Sequence, residues 1–162
     1  MNGIAKTRRV LAVLLLAVWW GGFTFYALVV VPTGHQVLRS KVRQGFITHQ
    51  VTNQLNVLGA VTLALLLWQW AATRRAAPAP GWSRPAMVSW AVLAATLAVL
   101  FWLHPRLDAL LDAVHRSVLD DGKFYALHRI YLVVATVQWL AGAVHFASLL
   151  AEPARPGGRG RA

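Results

Sequence analysis

The chain has 162 residues, of which 57% are hydrophobic and only 13% are charged, and this balance excludes an ordinary soluble domain. Its net charge of +11 would suit a nucleic-acid-binding protein, but the Lys and Arg residues lie beside apolar segments, where attraction to anionic lipid headgroups explains them and no nucleic-acid partner is expected. The absence of cysteine excludes disulfides and thiolate metal sites.

Apolar residues cluster into long runs, each close to the roughly 20 residues that cross about 30 Å of hydrocarbon. The first run follows Lys6, Arg8 and Arg9, but it is too long for a secretory signal, so we expect an uncleaved anchor. The sequence therefore predicts an all-α, integral membrane four-helix bundle, formed as one domain by residues 1–151 and surrounded by the lipid bilayer. The predicted transmembrane spans are residues 10–31, 51–71, 86–103 and 127–150.

The segments outside the spans are short. Residues 106–119 have apolar side chains at helical spacing, with Asp108 and Asp112 on the opposite side, and Pro105 and Gly122 suit the ends of a helix. We therefore expect an amphipathic surface helix between the third and fourth spans. Residues 152–162 are rich in Gly and Arg, a composition typical of a disordered basic tail.

The distribution of basic residues indicates an orientation. Nine of the sixteen Lys and Arg residues lie on the side of the chain ends if the spans alternate in direction. Because short cytoplasmic loops are enriched in Lys and Arg, the sequence favours an inner (plasma) membrane protein with both termini cytoplasmic.

The fourth span carries polar and small residues on one narrow stripe. A polar group in hydrocarbon must find a partner, and small residues let helices approach closely, so we expect this stripe to face the bundle interior. The second span carries a shorter stripe that starts at His49 and ends before Leu63. Helix packing with hydrogen bonds between helices is the minimal interpretation. The predicted polar interior face consists of Asn53, Asn56, Tyr131, Gln138, Gly142 and His145.

Three histidines lie at span ends on the same, non-cytoplasmic side of the predicted bundle: His49, His104 and His128. Imidazole binds copper, zinc and haem iron, so these residues form a candidate metal or haem site. Histidine is also common at span ends, and the spacing matches no known ligand motif, so a structural role stays open. The five acidic residues lie outside the spans and no nucleophile or phosphate-loop motif is present, so we expect neither an enzyme nor catalytic or cofactor-binding residues.

Two segments, GGFTFYALVVVPTGHQVL and HPRLDALLDAVHRSVLDDGKFYALHRIY, resemble known proteins. The second enters the last span through a Phe-x-x-Leu-His pattern at Phe124, Leu127 and His128. Together they are similar to bacterial four-span membrane proteins of unknown function in the transmembrane-protein-205-like superfamily. The resemblance implies the four-span fold and carries no settled activity.

The sequence thus leaves three functional hypotheses. The first is a small membrane protein that acts through helix packing, as an accessory, assembly or self-associating component with a membrane-protein partner or its own copy. The second is a metal or haem binder that faces the periplasm. The third is a small-solute permease that works as an oligomer, because four short spans rarely enclose a path alone.

Overall fold

The computed structural model describes residues 3–76, 83–112, 115 and 117–151. Within these residues, four helical segments are long and apolar enough to cross a membrane, so the all-α membrane bundle is confirmed. Each predicted span lies inside one of them, and the helices extend beyond the apolar runs at both ends. The expected disordered tail at 152–162 lies outside the described residues and stays a prediction.

The first spanning segment is a continuous helix with a π-helical turn in it, and the others are α-helices throughout. Between the first and second spanning segments, Arg39 adopts a left-handed conformation with φ of 47°, and its N–H donates to the carbonyl of His35. The elements in chain order are α1 (Gly3–Phe25), the π turn (Tyr26–Val30), α2 (Val31–Leu38), α3 (Lys41–Ala76), α4 (Arg84–Asp108), β1 (Leu111–Asp112), β2 (Ser117–Val118) and α5 (Asp121–Ala151).

The four long helices pack as a ring. Both α1 and α4 contact α3 and α5, and the contact between α4 and α5 is the most extensive. Arg8 near the start of α1 donates to Gln69 near the end of α3, and His145 near the end of α5 meets Ser89 near the start of α4. The start of α1 and the end of α5 therefore share one end of the bundle. We name it the terminus end, and the opposite end, with β1 and β2, the hairpin end.

The segment between α4 and α5 differs from the prediction. The prediction of an amphipathic helix over residues 106–119 is wrong. Helix α4 continues to Asp108, and β1 then pairs antiparallel with β2, with Leu111 opposite Val118. The Asp112 carboxylate accepts the backbone N–H of His115, a local turn interaction that competes with helix formation. Residues 113, 114 and 116 of the predicted helix lie outside the described residues.

Asp120 caps the start of α5. Its carboxylate accepts the backbone N–H of Lys123 at 2.9 Å and lies 3.2 Å from the Lys123 ammonium, while its carbonyl accepts the N–H of Phe124. The backbone N–H of Lys123, and after it the Lys123 ammonium, hold the pKa of the Asp120 carboxyl below its ordinary value. Because the folded pKa is lowered, the cap stabilises α5 at neutral pH and is lost only as the pH falls through that lowered pKa.

The bundle interior is filled mainly by leucine. Side chains from α1, α3 and α4 meet along the axis of the ring with 5% exposure or less. The leucines with 5% exposure or less among the described residues are Leu16, Leu63, Leu66, Leu93, Leu97, Leu100 and Leu103.

Two glycines allow indole rings to pack against helix backbones. A Cβ atom on Gly59 of α3 would lie 2.8 Å from the Trp19 ring, and one on Gly142 of α5 would lie 2.7 Å from the Trp20 ring. Both distances are far below normal van der Waals contact, so α1 could not keep its present positions against α3 and α5 if either glycine carried a side chain.

We therefore expect Gly59→Ala and Gly142→Ala each to lower the free energy of unfolding by about 1–3 kcal/mol, the usual cost of overpacking. Gly21→Ala is the matched control, because nothing lies within 4 Å of the position of its Cβ. It should be neutral, or stabilising by up to about 1 kcal/mol through helix propensity. Thermal unfolding in mild detergent measures all three, and equal effects would contradict this description of the packing.

Candidate functional site

The polar stripe of α5 lies inside the bundle. Tyr131, Gln138 and His145 are 6%, 3% and 0% exposed, and Ala135 and Gly142 between them are also buried. Tyr131, Gln138 and His145 are spaced seven residues apart, which corresponds to about 10.5 Å along a helix. The stripe therefore presents polar groups at three levels of the bundle.

At the level nearest the hairpin end, Asn56 Nδ2 on α3 donates to the Tyr131 hydroxyl at 3.1 Å. Asn56 is 3% exposed, whereas Asn53 is exposed, so the predicted interior place of Asn53 is wrong. The side chain four residues before Asn56, Thr52, interacts with Tyr131 from the same side. These contacts join α3 to α5.

The inward polar residues of α3 follow steps of four, a pattern that the sequence interpretation missed. Gln44, Thr48, Thr52 and Asn56 are buried or half-buried. Gln44 is 2% exposed against Gly34 of α2, and neither atom of its amide group has a hydrogen-bond partner among the described residues. The regular spacing of these four polar residues was the available signal.

At the middle level, Gln138 lies beside a small cavity between α1 and α5. The cavity measures about 10 Å³, close to the volume needed for one water molecule. The Nε2 atom of Gln138 is buried and has no hydrogen-bond partner within the described part of the chain. The cavity is lined by Trp19, Trp20, Phe23, Gln138 and Trp139.

Two tryptophans join α1 to α5 at the same level. The Trp20 indole N–H donates to the Trp139 carbonyl at 3.0 Å, and the Trp139 indole N–H donates to Thr24 Oγ1 at 2.8 Å. Their rings stack with centroids 5.5 Å apart, and Trp20 also stacks on Phe146. Both indole N–H groups are satisfied without water, which suits a site inside a membrane.

At the level nearest the terminus end, His145 Nδ1 and Ser89 Oγ share a hydrogen bond of 2.9 Å. The Ser89 hydroxyl also donates a hydrogen bond of 3.1 Å to the Ala86 carbonyl oxygen. His145 Nδ1 lies 3.2 Å from the same oxygen. Ser89 is 4% exposed and His145 is fully buried. The enclosed pair links α4 to α5 and does not present a nucleophile to a substrate.

The hairpin end brings two of the three candidate metal-binding histidines together. His49 of α3 and His104 of α4 stack with ring centroids 4.2 Å apart and an angle of 11° between the planes. His49 Nε2 also lies 3.3 Å from a carboxylate oxygen of Asp108. His128 instead stacks on Phe124 of its own helix at 5.8 Å.

The structure therefore brings His49 and His104 together without His128, and the predicted set of three metal ligands is wrong. No group of three His, Asp or Glu side chains stands in coordinating positions within residues 3–76, 83–112, 115 and 117–151. Sequence reasoning missed Asp108 because it assigned that residue to a separate surface helix, whereas Asp108 ends α4 one turn after His104.

The hydrogen bond between Asn56 and Tyr131 should stabilise the bundle modestly. Bonds of this kind inside membranes average about 0.6 kcal/mol and reach about 1.7 kcal/mol, so we expect Asn56→Leu and Tyr131→Phe each to weaken the fold without preventing insertion. A double-mutant cycle on detergent unfolding should show coupling between them. Asn53→Leu is the control, and coupling of Asn53 to Tyr131 of the same size would contradict the assignment.

Comparison with known proteins identifies a family. The family model described as "Domain of unknown function (DUF4149)" matches residues 14–116, which run from α1 through α4 to the hairpin segment and leave α5 outside the match. No curated protein and no solved structure matches the chain. Membership of the transmembrane-protein-205-like superfamily stays a prediction. Because the match covers more than half of its residues, this four-helix membrane protein belongs to the DUF4149 family.

Proposed function

We propose that this protein is a small accessory or assembly component of the membrane that acts through lateral helix contacts, without an enzymatic activity of its own. The observation that carries the proposal is a set of amide side chains on the outward face of α3: Gln50, Asn53 and Gln54 are all exposed. The other exposed residues further along this face include Val57 and Val61.

The depth of these amides supports a protein partner. Trp19 meets Gly59 and Gly22 meets Leu55 across the antiparallel pair of α1 and α3, so Asn53 is level with about residue 25. The apolar run of the first spanning segment continues through the π turn to Val31, six residues beyond this level and about 9 Å of helix. Exposed amides at such a depth are costly unless another polar group binds them, and an amide that both donates and accepts fits an amide on a facing helix.

The packed interior supports a contact role over transport by one bundle. The cavity beside Gln138 has room for one water molecule, and the levels on either side of it are filled by buried leucines. A permease would therefore need a path between several copies of the protein. Polar residues of α3 that face outward would then line that path, so an oligomer is the condition for this second function.

We further propose that this is a protein of the bacterial inner membrane and that its terminus end faces the cytoplasm. The bacterial origin is suggested by the resemblance to the transmembrane-protein-205-like superfamily. Arg8 lies over Trp68 at 5.4 Å and Arg74 lies over Trp70 at 4.7 Å at this end. Paired arginine and tryptophan side chains are typical of a membrane interface, and the excess of basic residues favours the cytoplasmic side.

The orientation can be measured with single cysteines, because the natural chain has none. We expect Leu119→Cys, at the hairpin end, to react with a membrane-impermeant maleimide in intact spheroplasts. Ser83→Cys, at the terminus end, should react only after the membrane is opened. Both side chains are exposed, so accessibility within the protein is matched, and the reverse labelling pattern would overturn the orientation.

The lateral contact can be tested with a photo-cross-linking residue at Asn53. We expect a discrete cross-linked product there in membranes, and none at Val18, a 60% exposed lipid-facing residue of α1 that serves as the control. The product's mass separates a second copy from a different protein. When the photo-cross-linking residue is placed at Gln50 instead, the double substitution Asn53→Leu with Gln54→Leu should abolish the cross-linked product. The unfolding temperature of this variant should stay unchanged or rise. Lipid adducts alone at Asn53 would contradict the proposal.

A further inference from the structure

The outward face of α3 carries a straight stripe of exposed side chains. Exposed residues recur there in alternating steps of three and four, which is the heptad spacing of helices that pack against one another along their length. Arg43 and Trp68 continue the spacing on either side. We name the central part the heptad stripe, and it spans about 25 Å of helix. Its members are Ile47, Gln50, Gln54, Val57, Val61 and Ala64.

The two glutamines distinguish the heptad stripe from the lipid-facing surfaces of other helices. On α1, Val18 lies at a similar depth and is apolar. On α5, the exposed hydroxyls of Thr136 and Ser148 donate to backbone carbonyls four residues earlier, so they need no partner from outside the chain. An amide has two N–H donors and an acceptor, more than one such backbone contact can satisfy. The two glutamines therefore leave donors and acceptors for a partner outside the chain.

A second copy of this chain satisfies these amides. Two copies inserted in the same direction place their α3 helices parallel, so each residue of a symmetric contact faces its own counterpart. Gln54 then faces Gln54, and each amide can donate to the carbonyl oxygen of the other. The heptad stripe contains no charged side chain, so this pairing brings no like charges together. Arg43 lies one turn nearer the hairpin end, level with about residue 35 of α2, where its charge can extend into water.

The order of residues along the heptad stripe suits a contact between two helices. Ile47 and Val61 occupy the first core position of the heptad, where β-branched residues favour two-stranded packing. Gln54 lies between them at the same position, where a polar residue fixes the register and the number of helices. Ala64, at the second core position, is small enough to let two helix backbones approach closely.

We propose that α3 packs against α3 of a second copy of this chain in a parallel, symmetric dimer, with the heptad stripe as the seam and Gln50 and Gln54 as its hydrogen-bonded layers. The inference rests on the proposed function, lateral helix contact, and names the partner. A second copy is favoured over a different protein because the stripe is complementary to itself at every level and carries no charge that selects an opposite one. Other faces of α3 contact α1, α2 and α4, so the dimer leaves the bundle intact.

Disulfide formation between single cysteines tests the seam, because the natural chain has no cysteine. In membranes treated with a mild oxidant, Val57→Cys and Val61→Cys should each give a linked product of twice the chain's mass, since a disulfide needs Cα atoms about 4.4–6.8 Å apart. Two exposed controls should stay monomeric: Leu67→Cys, off the stripe on the same helix, and Val18→Cys, at the depth of Val61 on α1.

Energy transfer in liposomes tests the amide layers, with copies labelled at Leu119→Cys, an exposed position outside the heptad stripe. Gln54→Leu should raise the dissociation constant of the dimer about three- to twentyfold, the effect of losing one or two hydrogen bonds inside a membrane. Thr136→Val is the control and should leave the dissociation constant unchanged, because the Thr136 hydroxyl bonds to its own helix. Unfolding temperatures establish that each variant is folded.

Equal linkage of Val57→Cys and Val18→Cys would indicate random collision and overturn the dimer, as would an unchanged dissociation constant in Gln54→Leu. Absence of linkage along the seam, together with capture of a different protein by the photo-cross-linking residue at Asn53, overturns this inference but leaves the proposed function standing. Lipid adducts alone at Asn53, without linkage along the seam, overturn both.

Discussion

A polar group inside hydrocarbon must bind another polar group, and this constraint on α5 organises the bundle. Tyr131, Gln138 and His145 cannot face lipid without cost, and each turns toward a different neighbour: Tyr131 to α3, Gln138 to the tryptophans of α1, and His145 to Ser89 of α4. One helix is thereby fixed against the other three at successive levels. Hydrophobic burial does not distinguish one helix neighbour from another in a membrane, because lipid tails are as apolar as leucine, so the hydrogen bonds of Tyr131 and His145 give the ring its specificity.

Much of this arrangement could be predicted from α5 alone, because its polar and small residues recur every three to four positions and mark a single face. The face of α3 was harder to predict. Its inward polar residues advance by four, and each such step turns about 40° around the helix, so Gln44 and Asn56 point about 120° apart. Gln44 meets α2 and Asn56 meets α5. A stripe that winds between two neighbours does not follow one straight face, so a straight-face pattern predicts an interior place for Asn53, which is exposed.

Other features depend on contacts that no periodicity contains. The hairpin after α4 contains a contact between the Asp112 carboxylate and the backbone N–H of His115 and a backbone hydrogen bond from Leu119 to Leu110, and the apolar periodicity of this segment indicates neither. Tryptophan usually marks the membrane interface, but Trp20 of α1 and Trp139 of α5 lie at the middle level of the bundle. Each donates its indole N–H to an acceptor on the other of these two helices. The partners of His49 likewise depend on which helices are adjacent, and α4 rather than α5 provides them.

The π turn at Tyr26–Val30 has a consequence for the rotational phase of the first segment. In an uninterrupted α-helix, residue 34 would be turned about 80° away from residue 26, whereas one extra residue in the turn reduces this offset to about 20°. Tyr26, beside Thr48, and Gly34, against Gln44, can therefore both face α3. The π turn has the effect of one inserted residue. It rotates α2 relative to α1, and this rotation lets α2 pack against the same helix, α3, that α1 contacts.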